Sequence, residues 1–366
     1  MRKLIIFLLG EGNLHKIRHW LNNFDYLMLS WARKNFFLAQ VYYLTRKEFR
    51  RETMAVLNGR HKYEKSIRNG SVASNSFLLR RNIHRIEKGI IMRPRRHEFG
   101  LDYIEDTLCA YAALLNHAQA KYDELLWADS VLKEFFFVTQ QSTGLIEYAV
   151  KFTALSKRFN EQDHTPPAED DKPTMIPYSK KYAESSHIQP EELHSLFLQR
   201  RAVRWYIDKP VEKSLVEKAA GMASLAPSAC NRQPYEFYYI ENSEFAAEVA
   251  SIPMGTTGFS HQIRNLVVVV GDLSAYPAER DRHLIYIDGS LAAMQFMLAL
   301  ESFELSSCPI NWPDVEKLEK KMEKTLNLPP YKRPVMLISI GYADPDGGIP
   351  YSQKKDILRE IHAANH

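Results

Sequence analysis

The chain has 366 residues, 45% of them hydrophobic and 25% charged, a soluble globular composition that excludes wholesale disorder and suggests two domains. The formal charge of +4 hides an asymmetry: residues 1–100 carry 21 Lys and Arg against 7 Asp and Glu. Residues 101–165 carry 5 against 10 and residues 166–366 carry 22 against 27, so a basic head precedes an acidic remainder.

Three widely spaced cysteines, Cys109, Cys230 and Cys308, exclude a disulfide framework and a cysteine zinc site, and they fit a reducing compartment. The opening MRKLIIFLLGEG imitates a signal peptide, but Leu4–Leu9 is too short an apolar core and no small-residue cleavage site follows. A short buried strand is expected there. No run approaches eighteen consecutive apolar residues, and a cytoplasmic protein is expected.

Leu14, Ile17, Leu21, Phe24 and Leu27 recur at helical spacing, as do Leu108, Tyr111 and Leu114. No strand pattern appears between residues 14 and 160, so a basic α-helical domain is expected over residues 1–160. Residues 161–177 form an acidic, proline-rich stretch that cannot pack and reads as a linker. Residues 178–366 alternate between helices and strands. Gln189–Pro190–Glu191–Glu192 starts a helix, with proline pre-set for the first turn and acids at the positive dipole end. A second helix is expected over Val211–Leu225, and strands over Tyr235–Ile240, Leu266–Gly271, Ser307–Ile310 and Val335–Tyr342. Leu291–Leu300 is apolar on every face except Gln295, so it must be buried in the domain centre or against a second subunit.

Two clusters carry candidate chemistry. Arg200, Arg201 and Arg204 place three guanidiniums within five residues, which repel unless an anion or carboxylates lie among them. The alternative is a solvated basic helix end. Ala226–Pro234 is a stiff polar loop before a strand, in which Ser228, Asn231 and Gln233 can bond the edge of a heteroaromatic ring, or simply connect elements.

Together, RRAVRWY, APSACNRQPYEF, IDGSLAAMQ, SSCPIN and RPVMLISIGYADP, in that order over about residues 188–362, resemble the flavin-dependent nitroreductase family. The resemblance implies an α+β, nitroreductase-like FMN-binding domain, preceded here by the helical one. It implies a homodimer with two FMN sites at its interface and NAD(P)H as a transient co-substrate. By position, Arg200 and Arg201 match the contacts to phosphate and ribityl chain. Arg204 matches a cation near the pyrimidine edge of the ring, where it stabilises the reduced anionic flavin. The family's usual serine is replaced by Ala202, which loses a hydroxyl contact. Pro227, Ser228, Ala229, Asn231 and Gln233 match the loop that edges the flavin, usually from the dimer mate. Pro309, Ile310 and Asn311 match the segment over the ring face, without the glycine often found there. Lys354 and Lys355 align with C-terminal phosphate contacts and read equally as solvated lysines at a helix start.

No catalytic triad is implied, since the flavin carries the chemistry. Neither Cys230 nor Cys308 has a patterned His partner, and both read as small buried residues. Asp288 reads as the N-cap of the apolar helix, after His283. Pro253–His261 reads as a mobile loop, with Phe259 able to cover a planar ligand and His261 beside it. There is no P-loop or dinucleotide fingerprint. In Leu79–Gly89, His84 and Glu87 share a helix face; half a metal site is one reading, and an internal His–Glu bond the better one, so no metal is expected. With Arg80, Arg81, Arg93, Arg95 and Arg96, this segment could hold an anionic acceptor, which makes His84 a candidate substrate contact.

Basic and aromatic residues alternate through Trp20–Arg51 without a nucleic-acid-binding motif, so peripheral membrane contact is the alternative weighed and no nucleic acid is expected. Helical extensions bearing HxxEKG are similar to proteins linked to bacterial surface-polysaccharide synthesis. The competing reading of the whole chain is a flavin-binding regulatory protein, or a membrane-recruited adapter, with little turnover.

Overall fold

A computed structural model describes residues 11–44, 49–69, 72–117, 120–162, 175–183, 185–355 and 357–358. The strand expected at Leu4–Leu9 and most of the proline-rich linker lie outside them. Among the described residues seven α-helices come first: α1 (Glu11–Ala32), α2 (Phe36–Leu44), α3 (Arg50–Asn69), α4 (Val72–Ile90), α5 (Ile104–Leu115), α6 (Tyr122–Val138) and α7 (Ile146–Glu161). No strand occurs among the described residues before Tyr235, as the periodicity predicts. Helices α4 to α7 close around Leu79, Ile83, Ile86, Ile104, Tyr111, Leu132 and Phe135, all fully buried. Helices α1 and α2 contribute little to that core: Trp20, Trp31, Phe36 and Phe37 are 64–81% exposed.

The remainder is an antiparallel sheet sandwiched by helices. Helix α8 (Pro190–Gln199) begins at the predicted proline, and Gln189 and Glu192 cap each other's backbone. Next come α9 (Lys213–Ala223), β1 (Tyr235–Ile240), α10 (Ser243–Ala250), β2 (Asn265–Asp272), α11 (Leu284–Ser302), β3 (Ser306–Asn311), α12 (Glu316–Thr325) and β4 (Lys332–Gly341). The strand order is β1-β2-β4-β3, with every pair antiparallel. Strand β2 is buried along its whole length because both faces are covered. Val267 and Val269 meet Phe296 and Leu300 of α11, and Val268 and Val270 meet Val249 of α10 and Met322 of α12.

Helix α11 is buried on one side only. Ala292, Ala293, Phe296 and Leu300 are inside, while Ile287, Leu291 and Met294 are 41–53% exposed. Of the two burials expected for this segment, the domain centre takes only the first set. Among the described residues, residues 279–302 form one helical stretch long and apolar enough to cross a membrane, and half of its apolar window is buried inside the fold. Asp288 is not the N-cap expected; the helix begins a turn earlier and places Asp288 within it. Its buried carboxylate instead accepts the backbone N–H of Ala229 at 2.9 Å, so it caps the neighbouring loop.

Helices α3 and α4 pack directly on the sheet domain. Ala55 and Val56 of α3 join Leu273, Ala275, Tyr276 and Ile285 in one buried cluster. The approach requires Gly59, where a Cβ would lie 2.7 Å from the Leu273 carbonyl. Arg51 donates to the Pro330 carbonyl at 3.0 Å and to Glu323 at 2.9 Å. Arg333, fully buried, binds Asp314 at 2.8 Å and Glu319 at 3.3 Å, and lies 3.9 Å from Glu52 of α3.

Candidate cofactor site

The arginine cluster leaves α8 in extended conformation and adds a short edge beside β3. Ala202 bridges Ser307 in parallel, with the Val203 N–H donating to the Ser307 carbonyl at 3.1 Å. Tyr206, on the same edge, donates to the Val203 carbonyl at 2.8 Å and meets Ser339 Oγ at 2.7 Å, which locks the segment to the sheet. Arg204 donates to the Ala202 carbonyl at 3.3 Å, and its guanidinium lies 5.8 Å from the centroid of the Phe259 ring. Arg201 donates to the carbonyls of Pro350, at 2.9 Å, and Tyr351, drawing the C-terminal strap alongside. Lys354 and Lys355 lie exposed three residues further on, outside any helix, so their reading as helix-start lysines does not hold.

Among the described residues none of Arg200, Arg201 and Arg204 forms an ion pair. Glu301, at the end of α11 and 4% exposed, faces Arg200 electrostatically. Burial pushes its carboxyl up to about 7, against the pull of Arg200 and a hydrogen bond from Gln199. At neutral pH it therefore neutralises the cluster only in part. Burial also pushes up the Cys308 thiol, against the charges of Arg204 and Arg200, so Cys308 is a packed, protonated residue and not a nucleophile.

The second cluster is strained. Cys230, Asn231 and Gln233 take φ of 54°, 51° and 49°, three left-handed residues without a glycine among them. Several bonds hold them there. The Gln233 N–H donates to Ser228 Oγ at 3.1 Å, the Gln233 amide donates to the Ser224 carbonyl at 2.8 Å, and Asp288 fixes Ala229. Arg80 of α4 occupies Gln233 Oε1 at 2.8 Å. The Gln233 side chain is thus spent on protein contacts, while the Asn231 amide, half-buried, makes no hydrogen bond among the described residues. Cys230, half-buried with its backbone left-handed, is less enclosed than the sequence suggests.

Within one chain the two clusters lie at diagonal corners of the sheet. The loop enters β1 at Tyr235, level with Gly271 and Arg333, whereas Ala202 stands outside β3 at the level of Ile340. Seven residues along β4 and four strand spacings across separate them by more than about 20 Å. A single chain cannot wrap both around one ring.

Pro309, Ile310 and Asn311 end β3 at the loop's end of the sheet. They border a cavity of about 590 Å³ with Tyr286 and Ser290 of α11, Met336 of β4 and Glu52 of α3. Pro309 and Asn311 are exposed there, and Ile310 turns into the opposite core.

Phe259 is 8% exposed and packs with Ile263, Leu266 and Ile310, beneath the Arg204 guanidinium, so its ring is more enclosed than the loop sequence suggests; His261 beside it is exposed. His84 and Glu87 pair as expected, Nδ1 to Oε2 at 3.5 Å, and Glu87 also accepts the Trp127 indole N–H at 2.9 Å. His84 is thus held against α4's own Glu87 at a half-buried position, while Arg93 and Arg96 line a separate cavity of about 700 Å³ with Arg85, Glu98 and Tyr103. Missed at the level of sequence were Asp288 as the loop's anchor and Arg80 as its clamp. Both act across more than fifty residues, where no spacing rule reaches.

Comparison with known proteins agrees with the sheet domain. Residues 197–257 and 261–342 match the model of the nitroreductase family. The iodotyrosine deiodinase of Haliscomenobacter hydrossis is 24% identical over 225 residues, spanning 50% of this chain and 95% of that protein. A Methanothermobacter thermautotrophicus protein, named as an NADH dehydrogenase/NAD(P)H nitroreductase, is 26% identical over 147 residues, 39% of this chain and 73% of that one. A solved FMN-dependent nitroreductase of Clostridium difficile is 25% identical, covering 43% of this chain and 91% of its own, with a TM-score of 0.37. Residues 197–342 therefore carry a domain of the nitroreductase family.

Proposed function

We propose that the protein is an FMN-dependent oxidoreductase that takes hydride from NAD(P)H and passes the electrons to a small-molecule acceptor. The observation that carries this reading is the arginine cluster: three guanidiniums beside the sheet edge, with which no carboxylate among the described residues forms an ion pair. Such a cluster calls for an anion, and the donor set suits a phosphate with an adjoining heteroaromatic ring. Arg200 and Arg201 would hold the phosphate and ribityl chain, with Lys354 and Lys355 close along the strap. Arg204, steadied against Phe259, would place a fixed cation at the pyrimidine edge. Asn231 has the free amide to meet the edge of a ring, and Pro309 and Asn311 the exposed surface to meet its face. FMN, when bound, supplies the acceptance and donation of hydride, which is why no acid–base triad is needed.

The diagonal separation of the two clusters supports a homodimer in which each chain's loop meets the other chain's arginines. Ile287, Leu291 and Met294 add an exposed apolar stripe on α11, flanked by Met222 and Leu225 at 44% and 79% exposure. The setting we propose is cytoplasmic. The test is the purified protein itself: it should carry FMN, release it on heating for identification by mass, and bleach when reduced nicotinamide is added. Colourless protein that takes up no added FMN would refute the reading.

A second reading concerns the basic head alone. Trp20, Phe24, Trp31, Phe36 and Phe37 are 52–81% exposed on α1 and α2, among Lys16, Arg33 and Lys34. Aromatic side chains and cations on one surface fit peripheral contact with an anionic membrane. Pelleting with phosphatidylserine vesicles, lost on replacing Trp31 and Phe36 by Ser, tests it.

A further inference from the structure

Helix α4 delivers one side chain into the loop assigned above to the cofactor. Arg80 donates from Nε to the Asn231 carbonyl at 2.8 Å and from Nη2 to Gln233 Oε1 at 2.8 Å. Both acceptors belong to left-handed residues of the strained turn. The guanidinium is itself held from behind. Glu124 of α6 lies 3.4 Å from Nη1, and the Trp127 ring centroid lies 5.3 Å from the guanidinium carbon. Trp127 is in turn fixed by its bond to Glu87, which pairs with His84. His84, Glu87 and Arg80 thus stand in one relay, joined through Trp127, whose far end is the Asn231–Gln233 loop.

Left-handed backbone at a residue with a side chain is strained, and it persists only where the surroundings over-determine it. Here three such residues stand within four positions. The bonds from Ser228, Ser224 and Asp288 come from the sheet domain; Arg80 comes from the helical region. Arg80 also occupies the Gln233 side-chain amide oxygen and pins the Asn231 backbone, which leaves the Asn231 amide as a polar group the loop presents.

We infer that Arg80 is a positioning residue for the cofactor site: the helical region holds the Asn231–Gln233 loop in its binding shape, so FMN affinity depends on α4. The inference rests on the flavin reading. In the proposed dimer, α4 of each chain conditions the flavin bound by its mate.

The experiment uses the full-length protein with Arg80→Ala and Arg80→Lys. Arg85→Ala serves as a control on the same helix, since Arg85 meets Asp102 and the Tyr103 ring away from the loop. Hydrogen exchange of peptides covering residues 226–234 reads the clamp, and fluorescence titration with FMN reads the site. Arg80→Ala should speed loop exchange at least tenfold and raise the FMN dissociation constant at least tenfold. Arg80→Lys, which can reach one acceptor but not both, should fall between, and Arg85→Ala should match the parent in both readouts. Unchanged loop exchange in a folded Arg80→Ala, or in Arg80→Lys should the alanine variant not fold, overturns the clamp. Faster exchange with unchanged FMN affinity overturns the link between the helical region and the cofactor. Parent protein that binds no FMN refutes the flavin reading, while the exchange data still decide whether Arg80 holds the loop.

Discussion

Replacing Glu301 by Gln should remove a defined part of the pH dependence of stability. Glu301 is 4% exposed, and its Oε1 has no hydrogen-bond partner. Only Arg200 and Gln199 favour its charge, and burial outweighs them, lifting the carboxyl from 4.5 to about 7. The folded chain therefore retains a proton that the unfolded chain has released, throughout the window between those two values. The stabilisation from that proton is complete below pH 4.5 and is lost as pH rises to about 7. The shift, 7 − 4.5 = 2.5, converts at about 1.36 kcal/mol per unit to an upper bound of about 3 kcal/mol. Relaxation and water entry bring the working range to about 1–3 kcal/mol. Glutamine keeps the shape without the charge, so Glu301→Gln should equal the parent at pH 4.5 and exceed it by about 1–3 kcal/mol at pH 8. Urea denaturation of both proteins at matched ionic strength and flavin loading measures the difference. Asp272 and Asp288, also raised by burial, act equally in both and cancel. A difference that stays constant from pH 4.5 to 8, or that grows in the parent's favour, would refute the reasoning.

Replacing Arg200 and Arg201 together by Ala removes two charge-assisted contacts of about 1.5–3 kcal/mol each, so FMN occupancy by absorbance should fall well over tenfold. Met294→Glu puts a charge into the exposed stripe of α11, and size-exclusion chromatography with light scattering should show flavin-poor monomer or aggregate in place of dimer. Gly59→Val drives a side chain into the Leu273 backbone, 2.7 Å from an ideal Cβ, and should cost about 1–3 kcal/mol in thermal unfolding. Phe259→Ala should lose about 3–5 kcal/mol through cavity formation; a cost below about 1 kcal/mol would mean that the ring is not part of the core.

Much of the sheet domain was legible because its signals are local. Tyr235–Ile240 is the predicted strand, and the other three strands differ from expectation only at their ends. Pro190 opens α8 because proline and two acids suit a helix start wherever the chain later goes. The exposed side of Leu291–Leu300 was legible only as an alternative, since composition marks an apolar face without saying what covers it. Asp288 was misread because a carboxylate near a helix start resembles an N-cap, while its true partner, Ala229, comes from another element. The burial of Phe259 was not legible because the glycines before it, Gly255 and Gly258, suggest an open loop, whereas the ring packs in the core. Arg80 was one of several arginines in a basic segment, and only the packing of α4 against the loop distinguishes it.

The central claim is that Arg200, Arg201 and Arg204 form the anion-binding wall of an FMN site. The most direct measurement is titration of flavin-free protein with FMN and with riboflavin, followed by the quenching of flavin fluorescence. The account predicts saturable FMN binding with riboflavin weaker by at least two orders of magnitude, a gap that closes in the Arg200→Ala, Arg201→Ala protein. Equal affinity for the two ligands, or an FMN affinity indifferent to those arginines, would contradict it.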